Sequence, residues 1–180
     1  MDDDERAALV TAFATLGTLT TTQQVAAAVL SQPEGGDPEL VAEETLSLVS
    51  VVSARAVEAG LRETPAASRL ASVALLALPF LYRDYLVGEA VVGGAGDVES
   101  ASDQMHARLQ RKREFYEAHL AAGVFPGERL LSDKMELWMG RVSPPKTGIH
   151  PAARLDRIEA VPQVVSHAKI VLAYCRRSAD

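Results

Sequence analysis

Two cap-and-proline pairs, Asp37-Pro38 and Thr64-Pro65, constrain this chain more than anything else in it. In each, a side chain able to accept from free backbone N–H groups precedes a proline. The first helical position tolerates proline because the N–H it lacks would have no partner there. Glu39 adds negative charge in the first turn, where the helix dipole favours it. Each pair is therefore read as a helix start. From Asp37 the helix should run to about Ala59, with Gly60 ending it and Val41, Leu48, Val52 and Ala56 facing inward. The run LSLVSVV (Leu46 to Val52) is rich enough in β-branched residues to leave strand as a second reading of that stretch. From Thr64 a helix should pass through VALLALPFLYRDYL to about residue 92. It is apolar nearly all round from Val73 to Leu81, the mark of a central buried helix, and Pro79 should kink or split it.

The remaining segments read as helices too. Leu9, Phe13 and Leu16 share one face of a helix opening near Asp4, which Gly17 should end; a short helix from about Thr22 to Leu30 follows. After a connector with Gly93, Gly94 and Gly96, Asp97 starts a long amphipathic helix with Met105, Leu109, Tyr116 and Leu120 inward and Gly123 as its stop. A helix from about Glu128 to Gly140 turns Leu131, Met135, Trp138 and Met139 inward. Pro151 begins another through Ile158, Pro162 should break it, and the last helix buries Val164, Val165, Ala168, Val171, Leu172 and Cys175. At 180 residues the chain can build one sizeable core. The expected fold is all-α: a single domain over residues 1–180, an orthogonal or antiparallel bundle of about seven or eight helices around the apolar helix at about 65–92. The opening ERAALVTAFATLGTLTTTQQVAAAVL resembles the start of a helix-turn-helix regulator of the TetR kind. SQPEGGDPE then stands where a recognition helix would begin, so the likeness implies no family here.

Charge divides the chain. Residues 1–100 hold 5 Lys/Arg and 15 Asp/Glu, residues 101–180 hold 13 and 9, within a net charge of −6. Such halves complement one another within a fold or across a homo-oligomer interface, whereas nucleic-acid binding by the molecule as a whole is disfavoured. Cys175 is the only cysteine, which excludes an intramolecular disulfide and a cysteine-built zinc site. No secretory pattern opens the chain, and the longest uncharged apolar run, between Arg69 and Arg83, has thirteen residues, so a cytoplasmic protein without membrane attachment is expected.

Three clusters carry candidate chemistry. Arg141, Lys146 and His150 in RVSPPKTGIHP, with Arg111 as helper, form a tentative site for a small phosphorylated or carboxylated molecule; the alternative is a rigid connector in which His150 caps the next helix and Arg141 ends the previous one. Arg108, Arg111, Lys112 and Arg113 form a basic surface beside Phe115 and His119, though Arg113 and Glu117 are also spaced to pair. Lys112 lies near the apolar seam and would have to snorkel outward. Glu99, Asp103, His106 and Gln110 share a face with the carboxylate-x-x-His spacing of di-metal bundles, but the second copy such sites need is missing. No catalytic residue, metal or cofactor is expected. The leading expectation is a non-enzymatic helical protein acting through protein–protein contacts as a homodimer. A ligand-binding or enzymatic bundle using the 141–151 loop, and a nucleic-acid-binding regulator using the 108–113 surface, are the alternatives.

Overall fold

The computed structural model describes residues 2–92, 98–143 and 150–179, and within them the fold is seven α-helices with no strand. They are α1 (Asp3–Leu30), α2 (Pro38–Gly60), α3 (Pro65–Val92), α4 (Val98–His119), α5 (Glu128–Val142), α6 (Pro151–Ile158) and α7 (Ala160–Ala179). The glycine connector at 93–96 and the proposed cap Asp97 lie outside the described residues.

Local chemistry sets most helix ends. Asp2 and Glu5 form a reciprocal capping box at α1, with the Glu5 amide donating to Asp2 Oδ1 at 2.8 Å. At α2, Asp37 Oδ1 accepts from the amides of Glu39 and Leu40 at 2.9 and 3.2 Å, as the sequence implies. His150 caps α6 through Nδ1, which accepts from the Ala152 amide at 3.3 Å. Gly123 takes a left-handed φ of 70° just after α4.

Three expected breaks fall elsewhere. Gly17 does not end a helix: α1 runs through it as one element to Leu30. Its cost of about 1 kcal/mol relative to alanine is accepted because a methyl there would lie 2.8 Å from His167 Cε1 on α7. This continuous helix also removes the helix-turn-helix likeness. Pro79 sits inside α3 without dividing it. Between α6 and α7 the break is at Glu159, the only non-glycine residue with positive φ (50°) among the described residues, whereas Pro162 falls in the first turn of α7 where no amide is needed.

The centre of the bundle is α2, not α3. Every residue from Glu43 to Val57 is buried, with α1, α3, α4, α5 and α7 packed around it. Leu48, Val49, Val51, Val52 and Val57 are fully buried, each contributing on the order of 1.5–3 kcal/mol. Three of its four hydroxyls bond within the helix: Thr45 donates to Val41 O (2.6 Å), Ser47 to Glu43 O (2.7 Å) and Ser53 to Val49 O (2.8 Å), while Ser50 Oγ is buried without a partner. Its small side chains also let neighbours approach; a methyl on Gly60 would fall 2.5 Å from Cys175 Cβ on α7. Arg154 of α6 is fully buried and reaches between α1, α2 and α5: Nε donates to Gln32 Oε1 (2.9 Å), one terminal nitrogen to Ser143 Oγ (2.7 Å) and the other to Gly35 O (3.1 Å).

Candidate functional site

The basic residues are largely committed inward. Glu44 of α2 is 1% exposed and accepts a two-point contact from Arg141 of α5, with Nε at 2.8 Å and a terminal nitrogen at 2.7 Å. Tyr116 of α4 donates to the same carboxylate at 2.6 Å, and Lys112 Nζ lies 3.2 Å from it and 2.9 Å from Glu43. Arg108 donates to both Glu39 (2.8 Å) and Glu43 (2.5 Å). Arg113 pairs with Glu117 at 3.2 Å and sits over the Phe80 ring; Arg141 lies 4.5 Å from the centre of the Phe115 ring. Burial works to raise the Glu44 pKa, yet the Arg141 and Tyr116 hydrogen bonds and the nearby positive charges outweigh it and hold the carboxyl below the usual glutamate range.

The tentative anion cluster therefore divides. Arg141 is bound to Glu44, His150 caps α6, Arg111 is exposed on α4, and Lys146 lies outside the described residues. Of the basic surface, Arg108 and Arg113 are in ion pairs and Lys112, rather than snorkelling, is buried between two carboxylates. His106 packs on Phe80 with ring centres 4.8 Å apart, and among the described residues no three His, Cys, Asp or Glu side chains converge. Sequence reasoning missed Glu43, Glu44 and Arg154. The available signal was Lys112 itself: a lysine one turn from Leu109 and Tyr116 on an inward face calls for an acidic partner on the facing helix.

Among the described residues, two surfaces stand out as unpartnered. On α3, Ala66, Leu70, Val73, Ala77 and Leu81 recur at helical spacing along about 22 Å. Leu70, Val73 and Leu81 are 51%, 60% and 59% exposed. Arg69 flanks this stripe at one end and Asp84 at the other, both exposed. The segment Pro65–Asp84 is long and apolar enough to cross a membrane by length and composition, and a third of it is buried. The second surface is a groove of about 540 Å³ between α1 and α7, walled by Phe13, Leu16, Pro162 and Ile170, with His167 on its floor.

Cys175 offers no reactive thiol: it is fully buried, and burial pushes its pKa up to about 12. Ser53 accepts from or donates to His167 Nε2 at 2.7 Å but is fully buried, out of reach of a substrate. Comparison with protein-family models, curated proteins and solved structures finds no match to this chain.

Proposed function

We propose that this chain works by protein–protein contact, as a homodimer joined through α3, rather than by catalysis. The observation that carries the reading is the α3 stripe: a continuous row of exposed apolar side chains that its own fold leaves uncovered. The occupant that fits is a second copy. Laid antiparallel about Ala77, two α3 helices place Val73 against Leu81 of the second copy, and Leu70 against the stem of its Asp84. Ala77 at the crossing point permits close approach of the backbones. The same register brings Arg69 of each copy beside Asp84 of the other, which also pairs with Arg83 of its own helix, so each Asp84 is shared between two guanidiniums. The inward commitment of Arg108, Lys112, Arg113 and Arg141 supports contact over ligand chemistry, since their charge is already answered by Glu39, Glu43, Glu44 and Glu117.

The test is size exclusion with light scattering at low and high salt. The expected result is a dimer in both, because its core is apolar, and a monomer of unchanged helicity for Val73→Glu, whose side chain is mostly solvent-exposed. A wild-type monomer at high concentration overturns the proposal, as does a dimer indifferent to Val73→Glu. Binding to lipid vesicles that Val73→Glu abolishes, without a dimer, would reassign the stripe to a membrane surface.

A further inference from the structure

We infer that the groove between α1 and α7 is a binding site for a small neutral aromatic molecule carrying an N–H or O–H donor, of the indole or phenol class. The floor defines the polar half of that requirement. Ser53 Oγ has one proton and three partners; with that proton given to Val49 O (2.8 Å), its oxygen is left to accept from Thr18 Oγ1 (2.6 Å) and from His167 Nε2 (2.7 Å). This network assigns the His167 proton to Nε2 and leaves Nδ1 as a bare acceptor. Burial lowers the His167 pKa to about 4, so the ring is neutral at pH 7 and Nδ1 keeps its lone pair.

Gly17 decides which way that acceptor faces. The Nδ1–Cε1 edge of the ring lies against α1 where a side chain is missing: a methyl on Gly17 would sit 3.0 Å from Nδ1 and 2.8 Å from Cε1. His167 fills the notch that this glycine leaves and also lines the groove. One turn earlier on α7, Gln163 also lines the groove, its side-chain nitrogen donating to Ile158 O at 3.3 Å. The His167 Nδ1 acceptor, with no proton of its own, selects a ligand that supplies one.

The walls define the rest. Phe13, stacked on Tyr174 with ring centres 4.0 Å apart, together with Leu16, Pro162 and Ile170 supplies the apolar walls, between which Thr20, Thr21, Gln24 and Ser166 add uncharged polar groups. Leu16 and Ile170, 69% and 53% exposed, form its rims. No Lys, Arg, Asp or Glu lines the groove, so a charged ligand would lose its hydration without a counter-charge. At about 540 Å³ the space falls within the roughly 300–1,000 Å³ of small-molecule sites.

The experiment is titration calorimetry of indole and of N-methylindole into the full chain. Indole should bind at one site per chain and N-methylindole about five- to tenfold more weakly, the worth of one hydrogen bond. Gly17→Ala should abolish indole binding by displacing the His167 edge. Ile170→Asp, on an exposed rim, should do the same without disturbing the fold, and carries the test should Gly17→Ala fail to fold. No binding of indole by the wild type, equal binding of the two ligands, or binding that survives Ile170→Asp overturns the assignment.

Discussion

α2 carries four buried serine and threonine hydroxyls between Thr45 and Ser53, two buried glutamates and a buried arginine, whereas α3 is the richer in leucine and leaves Leu70, Val73 and Leu81 more than half exposed. The difference teaches that position in a bundle follows complementarity and not apolar content. A helix goes to the centre when its sides find partners: three of its four hydroxyls bonded to the preceding turn, Glu44 met by Arg141, Tyr116 and Lys112, and Arg55 met by Glu58, Glu117 and the Leu120 carbonyl. α3 has one side packed on the bundle and a second with nothing to pack on.

Removing a partner inside α2 should produce the largest loss. Glu44→Ala leaves Arg141 and Lys112 facing a buried hole and should destabilise the fold by about 3–5 kcal/mol, read from urea unfolding. A loss under about 1 kcal/mol would mean the pairs stand in water and α2 is no true centre. The same leucine truncation on each helix sharpens the contrast. Leu48→Ala should cost about 2–5 kcal/mol, while Leu70→Ala, made in the monomeric Val73→Glu background, should stay within about 0.5 kcal/mol. Equal costs would erase the distinction.

Acidification weakens the α2 side in two windows. His167, bonded to Ser53 of α2, has a folded pKa of about 4 against an ordinary value of 6.5. Its folded pKa is depressed, so between those values the unfolded chain takes a proton that the folded one refuses. Stability is present above pH 6.5 and falls as pH drops, by about 2 kcal/mol between pH 7 and pH 5. Glu44, also depressed, adds its loss only as pH falls below the ordinary glutamate value of 4.5. Urea midpoints at pH 7 and 5 for wild type and His167→Asn check the first window: the variant should lose most of the difference. The smallest expected effect lies on α3. In the proposed dimer, Arg69→Glu and Asp84→Arg should each weaken association by about 0.5–1 kcal/mol, and the double variant should recover most of it. No recovery would exclude the antiparallel register.

Local signals were legible in the chain and distant ones were not. Asp37-Pro38, Thr64-Pro65 and His150-Pro151 announce starts because cap and proline act within one turn, and the inward faces of α5 and α7 follow from spacing alone. Gly17 misleads because a glycine serving a neighbouring helix looks the same in sequence as one ending its own. Val73 to Leu81 misleads because apolarity states what a segment tolerates, and the missing neighbour is a fact of tertiary packing. The candidate bases were found, but their acids, 65 to 97 positions away in the cases of Arg108–Glu43 and Arg141–Glu44, join them only through the fold.

Arg154 adds a consequence in time. The turn after α1 is fastened by a guanidinium 122 positions downstream of Gln32 and 119 downstream of Gly35. During synthesis the first three helices emerge with that turn held only by its local bonds, such as Gln32 N to Val29 O and Gly35 N to Gln32 O. The acidic half of the chain therefore waits for its last quarter before closing, and a chain ending before Arg154 should be cut near Gly35 by a protease that spares the full-length protein.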